Sequence, residues 1–186
     1  MKQWLGMGLI IVVTSVAAIP QTQATNAIIL AETGDYESAI ADLQRIARDD
    51  PKAFTANNYD YLLARYAESN GQLGLAMASY QQIAAHDSLL SAYALKHLSQ
   101  IARSTGNLML ERLYLQQLVL MSPDSLLAAP ARQRIARNHF ESGNYAETIK
   151  LLNAGYGGNS PAKKNSANLR EDQALLAEAN LRSGKT

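Results

Sequence analysis

Five glycines at nearly regular spacing constrain the fold more than any other feature of this chain. Gly34, Gly71, Gly106, Gly143 and Gly184 are separated by 37, 35, 37 and 41 residues. These periods are close to the 34 residues of a helix-turn-helix repeat. After residue 24 no stretch alternates apolar and polar residues for more than a few positions, whereas three- and four-residue spacing is found throughout. The sequence predicts an all-α superhelix, a solenoid of about four helix-turn-helix repeats plus the first helix of a fifth.

The residues beside the glycines explain the spacing. Glycine adopts the left-handed conformation that closes one helix, and a following Asp or Asn accepts the free amide protons that open the next. Asp35, Asn107 and Asn144 each follow a glycine, and Asn144 with Glu147 has the spacing of a capping box. Small residues that let helices approach closely stand seven positions before the glycines, at Ala27, Ala64, Ser99, Ala136 and Ala177.

The segment after Gly34 shows one amphipathic stripe. Its apolar positions fall on one face of a helix, namely Tyr36, Ala39, Ile40, Leu43, Ile46 and Ala47. The proline-containing segments "RDDPKA", "MSPDSL" and "GGNSPAKKNS" then separate one repeat from the next.

Composition narrows the function classes. The 186 residues are 47% hydrophobic and 18% charged, with a formal net charge of +1, so the chain should fold and has no broad basic field for nucleic acid. It contains no cysteine, which excludes disulfides, thiolate catalysis and sulfur-ligated zinc.

The N-terminus is typical of an exported protein. Lys2 is followed by a mostly apolar run from residue 4 to 19, then by Pro20 and small residues. We expect residues 1–24 to be a signal peptide, cleaved after Ala24 or Ala18, and the mature protein to be periplasmic or secreted. A membrane anchor is the weaker alternative because the run is shorter than the roughly 20 residues that a spanning helix needs.

The turn motifs resemble tetratricopeptide (TPR) repeats. The resemblance rests on Gly34-Asp35-Tyr36, Ala39, Leu43, Ile46 and Pro51, with related sets after the next three glycines, and covers most of residues 25–186. Glu111 and Thr148 depart from it, because they replace the small residues found at Ala39 and Ala76. It implies a non-catalytic scaffold that binds a protein or peptide.

A narrower resemblance concerns "YDYLLARYAESNGQLGLAMASYQQI" and "LKHLSQIARSTGNLMLERLYLQQL". These stretches are similar to the superhelical N-terminal region of soluble lytic murein transglycosylases. In that family the superhelix precedes a domain that cleaves peptidoglycan, and that domain is missing here. The resemblance implies peptidoglycan or a downstream catalytic domain as partner.

Fragments that suggest catalysis have simpler interpretations. Glu141-Ser142 echoes the transglycosylase site but lacks the expected Gly-Leu-Met-Gln and directly precedes the turn at Gly143. The last eight residues fit a loose phosphate-binding loop, yet a helical segment precedes them. No histidine among His86, His97 and His139 has a partner at metal-site spacing, so we predict exposed or packed imidazoles, no metal, no cofactor and no enzyme activity.

The TPR resemblance also implies a binding surface, because certain first-helix positions line the concave face of such repeats. Transferred by the glycine alignment, this groove comprises Asn58, Tyr61, Arg65, Tyr93, Lys96, Gln100, Arg103, Gln133 and Arg137. Its four cations could hold a peptide carboxylate or an acidic partner segment. A solvated face with scattered charge is the plainer interpretation.

Two functions stay open at this point, an interaction scaffold in the cell envelope and the front part of a lytic enzyme. The chain ends just after the fifth turn glycine, which leaves that repeat without a second helix. We therefore expect a fragment of a longer reading frame.

Overall fold

The computed structural model describes residues 19–86, 88–154 and 166–184, and these segments contain helices and no strand. The helices in chain order are α1 (Ile19–Glu32), α2 (Tyr36–Asp49), α3 (Pro51–Ala56), α4 (Tyr59–Ser69), α5 (Leu73–Ala84), α6 (Ser91–Ser104), α7 (Leu108–Met121), α8 (Ala128–Glu141), α9 (Tyr145–Asn153) and α10 (Ser166–Arg182).

The helices form the repeats that the glycines predict. α1 pairs with α2, α4 with α5, α6 with α7, and α8 with α9, while α10 is the first helix of a fifth repeat. The second helix of each pair also packs on the first helix of the next, as α5 does on α6 and α7 on α8. The predicted all-α solenoid is confirmed.

Each pair closes with the same backbone turn. All five predicted glycines have positive φ, between +71° and +88°. At the third turn the Asn107 amide donates to the carbonyl of Ala102 at 2.8 Å, and the Gly106 amide donates to Arg103 at 3.0 Å. The first of these bonds recurs at Asp35, Gln72 and Asn144. This is the glycine-terminated helix closure expected from the sequence.

Side-chain capping follows the prediction at two of three positions. Asp35 accepts from the Ser38 amide at 3.1 Å, and Asn107 accepts from the Leu110 amide at 3.0 Å. The prediction of a capping box at Asn144 is wrong, because the Asn144 side chain makes no capping hydrogen bond. Glu147 instead accepts from Lys150, one turn along the same helix.

Helix α3 was not predicted. Pro51 does not simply end α2 but occupies the first turn of a new six-residue helix. Asp50 caps this helix by accepting from the Ala53 amide at 2.9 Å, and Phe54 is buried in the core. A proline at a helix start loses no hydrogen bond, which is why the same residue can end one helix and begin another.

Small residues hold the repeats together. Ala27, Ala64, Ser99 and Ala136, seven residues before the first four glycines, are buried, whereas Ala177 in α10 is exposed. One continuous core runs from α1 to α8, and a smaller one joins Ala136, Leu152 and Leu175 of α8, α9 and α10. The stripe predicted on α2 is also confirmed, with Ala39, Ile40, Leu43 and Ile46 buried.

Most of the predicted signal peptide, residues 1–18, lies outside the described residues. α1 begins at Ile19 and runs through the Ala24 position, whose side chain is buried. Within the described segments, no helix combines the length and apolar character needed to cross a bilayer.

Candidate binding groove

The nine predicted groove residues come from three first helices. α4 carries Tyr61 and Arg65, with Asn58 just before it; α6 carries Tyr93, Lys96, Gln100 and Arg103; α8 carries Gln133 and Arg137. Asn58 is exposed and left-handed, with φ of 56°. The structure brings the α6 residues together along one face and places the others at its two sides.

A cavity of about 240 Å³ lies between α6 and α8, with α7 as its floor. We call this cavity and the α6 residues above it the α6–α8 groove. Three predicted residues line the cavity, Lys96, Gln100 and Arg103. The rest of the lining is largely apolar and comprises Leu115, Leu118, Leu127, Pro130 and Ala131, together with Ser99, Glu111 and Arg134.

Two cations in this groove are uncommitted. Among the described residues, neither Lys96 nor Arg103 makes a hydrogen bond or an ion pair with another side chain, and the same holds for Gln100. Lys96 and Arg103 are seven residues apart on α6, a rise of about 10 Å. Arg103 acts through space on the carboxylate of Glu141, and Lys96 acts on His97. Because neither cation is held in a direct ion pair, both can contact an anionic ligand above a largely apolar floor.

The other two predicted cations already have partners. Arg65 donates from Nη1 to Nε2 of His97 at 2.9 Å, and Arg137 lies 3.5 Å from the carboxylate of Glu171 on α10. Gln133 likewise donates to Asp172 at 3.1 Å. The four-cation stripe inferred from sequence thus narrows to Lys96 and Arg103, because acidic residues of α10 partner the α8 side.

A buried charge network fixes the wall of the groove. Glu111, one of the two departures from the repeat pattern, accepts from Arg134 Nε at 2.5 Å and Nη2 at 2.9 Å. Arg134 also donates to Glu141, at 2.8 and 2.6 Å, and Asn138 donates to Glu111 at 2.8 Å. The bonds that Glu111 accepts from Arg134 and Asn138 hold α7 against α8. The sequence departure therefore has a structural role.

A second cavity, of about 520 Å³, adjoins the first at Leu127, which lines both. Tyr93 forms one side of it, and two nearly fully exposed leucines flank it, Leu89 at 93% and Leu126 at 95%. Both belong to an Asp-Ser-Leu-Leu sequence that occurs twice, 37 residues apart, at 87–90 and 124–127. Sequence reasoning missed these leucines, although the duplicated motif could have revealed them.

A buried aromatic and ionic cluster joins α4, α5 and α6 behind Arg65. His97 stacks on Tyr80, with centroids 5.0 Å apart and planes at 6°, and its Nδ1 lies 2.9 Å from Glu68 Oε2. Tyr80 donates to the same carboxylate at 2.8 Å, and Tyr61 packs edge-on. Because Arg65 can only donate, Nε2 must accept, so this imidazole is neutral with its proton on Nδ1. Burial lowers the pKa of His97, which Glu68 opposes and Arg65 reinforces.

Glu141 does not resemble a general acid. Its hydrogen bonds from Arg134 lower the pKa of its carboxyl group, whereas a general acid needs a raised pKa. His86 is exposed, while His97 and His139 are packed within the helices. The described part of the chain contains no group of three His, Cys, Asp or Glu side chains arranged to hold a metal ion.

Comparison with known proteins identifies the architecture. A crystal structure of kinesin light chain-like TPR-like repeats from Podospora anserina matches with a TM-score of 0.58 and 18% identity, covering 89% of this chain and 87% of that one. A single-residue variant of the same repeats gives a TM-score of 0.59 at 18% identity, covering 89% of this chain and 86% of that one. The fold is that of TPR-like repeats.

A thermophilic TPR protein of Thermus thermophilus superposes less well, with a TM-score of 0.43 at 19% identity, covering 89% of this chain and 83% of that one. No family model matches the sequence. No curated protein matches it either.

Proposed function

We propose that this protein is a non-catalytic scaffold that binds an extended, acidic protein segment in the α6–α8 groove. The observation that carries the proposal is the pair of uncommitted cations, Lys96 and Arg103, above an apolar cavity. The neighbouring Arg134 and Arg137 form ion pairs with Glu111 and Glu171, whereas Lys96 and Arg103 form none.

The dimensions of the groove define the segment. An extended peptide advances about 3.3 Å per residue, so two carboxylates about three residues apart reach both Lys96 and Arg103. A large apolar side chain beside these carboxylates would enter the second cavity, of about 520 Å³, which Tyr93 lines. The chemistry that fits is therefore a short segment with two acidic residues and one large apolar residue.

Arrays of short peptides test this proposal. One glutamate pair and one leucine are moved along the peptides, and a matched array carries glutamine in place of glutamate. We expect the wild type to bind glutamate peptides, with affinity falling as salt rises. The double variant Lys96→Ala/Arg103→Ala should lose at least about tenfold in affinity. Arg48→Ala, an exposed cation on α2, is the control and should bind normally.

Equal binding to the glutamine array would contradict the proposal. So would wild-type affinity in the double variant. Far-UV circular dichroism establishes that both variants keep the helical fold.

The proposal extends to the cell envelope. The apolar N-terminal run supports export, and N-terminal sequencing of protein recovered from a periplasmic fraction would test it, with Thr25 or Ile19 expected as the first residue. An intact Met1 on protein found only in the cytoplasm would contradict export.

A cell-wall role is the second candidate, supported by the sequence resemblance of residues 59–83 and 95–118 to lytic murein transglycosylases. Its test is co-sedimentation with purified peptidoglycan sacculi. Retention that Lys96→Ala/Arg103→Ala does not affect would favour this role over the peptide scaffold.

A further inference from the structure

Two carboxylates share the guanidinium of Arg134, and the protein encloses them to different degrees. Glu111 accepts from Nε and Nη2, accepts also from Asn138, and is 1% exposed. Glu141 accepts from Nη1 at 2.8 Å and from Nη2 at 2.6 Å, and 35% of its side-chain surface is exposed. We call the Nη1–Nη2 side of Arg134, on which Glu141 lies, the outer edge. Glu141 is therefore the more replaceable of the two carboxylates.

The bonds between Arg134 and Glu141 do not join two helices. Both residues belong to α8, seven positions apart, whereas Glu111 belongs to α7. Glu141 is also the last residue of α8, where the helix dipole disfavours a negative charge. The glycine turn does not require a carboxylate at this position, because Ser69 and Ser104 occupy it in the second and third repeats. Neither the packing of the helices nor the turn thus explains why Glu141 is there.

The outer edge lies beside the α6–α8 groove. Arg134 and Arg103 both line the cavity of about 240 Å³ between α6 and α8. The hydrogen bonds from Arg134 lower the pKa of Glu141, and the charges of Arg103 and Arg137 act in the same direction through space. The Glu141 carboxylate therefore marks a position at which the groove already stabilises a carboxylate.

We propose that the outer edge of Arg134, together with Arg103, is a carboxylate-binding position of the groove, which Glu141 occupies in the free protein and which a carboxylate of the bound segment takes over. This inference rests on the proposed function and adds to it a competing group within the chain. On displacement, Glu141 turns into solvent at the end of α8. Glu111 stays on Nε and Nη2, so α7 and α8 remain joined.

The exchange conserves the hydrogen bonds of Arg134, because one carboxylate replaces another in the same two-point geometry. The incoming carboxylate can also accept from Arg103, from which Glu141 accepts no hydrogen bond in the described part of the chain. A position that is occupied internally lowers the apparent affinity for a ligand by the fraction of the protein in which it is open. Removal of the internal occupant should therefore tighten binding.

The glutamate-pair peptides and three variants test this competition. Glu141→Ser removes both the contact and the charge, and serine is the residue found at this position in two other repeats. Glu141→Asp keeps the charge but loses the two-point contact, because its side chain is one methylene shorter. We expect each to bind at least about fivefold more tightly than the wild type. Glu147→Gln, which removes an acidic charge paired with Lys150 on α9, is the control and should bind within about twofold of the wild type.

The pattern of affinities separates the possible outcomes. Wild-type affinity in Glu141→Asp would overturn the inference, because a gain confined to Glu141→Ser would be an effect of net charge alone. Wild-type affinity in both variants would also overturn it and would leave the proposed function intact. No binding by the wild type or by any variant would contradict the proposed function, and the inference with it. Far-UV circular dichroism establishes that the variants keep the helical fold.

Discussion

At the scale of single residues, the conformation of the turn glycines was the feature that the sequence predicted best. Gly106 has φ of +75°, and a β-carbon added there would meet no atom within 4 Å. Its role is therefore purely conformational, which is why spacing alone located the turn. The structural role of Glu111 could not be predicted from the sequence, because its partner Arg134 lies 23 residues away on another helix.

Gly106→Ala should lower the free energy of unfolding by about 1–2 kcal/mol, since alanine resists the left-handed conformation. Gly74→Ala is the matched control: this glycine in α5 also has free space around its β-carbon but no positive φ. We expect it to leave stability unchanged or to raise it by up to about 1 kcal/mol. Urea unfolding measures both variants, and equal effects would contradict this account of the turn.

At the scale of elements, the ends of helices followed from the sequence better than their faces did. α7 reads "LMLERLYLQQLVLM" and is apolar nearly all round, so no period distinguishes its buried side from its exposed one. The groove residues predicted from the first helices stay a prediction, and the sequence did not show which of their cations have partners within the protein. That depends on contacts between helices, such as those of α8 with α10.

The contact of α4 with α6 should make stability depend on pH through His97. Its pKa is lowered, so protonation favours the unfolded chain, where histidine has its ordinary value of 6.5. The neutral imidazole thus contributes stability that is present above about pH 6.5 and lost as pH falls through the folded-state pKa. The groups facing it are Glu68, Arg65, Tyr61 and Tyr80, with Lys96 on its own helix.

Urea unfolding between pH 7.5 and 5 at fixed protein concentration would measure this dependence. Relative to the wild type, His97→Gln should lose less stability on acidification, whereas His86→Gln, at an exposed site, should follow the wild type. The pH dependence of stability that remains in His97→Gln is due in part to His139, because burial also lowers the pKa of this residue. An unchanged slope in His97→Gln would contradict the assignment.

At the scale of the whole molecule, the number and order of the repeats were predictable, because each repeat reuses one turn chemistry. The short helix α3 was not, since a proline between repeats is equally compatible with a loop and with a helix start. The division of the core into one large and one small cluster could not be predicted from the sequence either, because it depends on which helices pack together in three dimensions.

That unevenness predicts a gradient of local stability. α9 and α10 rest on the small cluster around Leu152 and Leu175, whereas α5, α6 and α7 share the continuous core. Amides of α9 and α10 should therefore exchange with deuterium faster than those of α5 to α7. Mass-spectrometric hydrogen exchange on peptic fragments measures this, and uniform protection across the chain would contradict the prediction.

The recurring glycine closure has an evolutionary consequence. The two helices of each described pair are joined by the same glycine turn, and the Asp-Ser-Leu-Leu segment recurs after 37 residues. An in-frame duplication of residues 88–124 would therefore join the two copies through a sequence that already connects one repeat to the next. Such a tandem copy would lengthen the solenoid by one helix pair and would require no new junction sequence. Growth by whole modules is thus the mutational path that this architecture makes easiest.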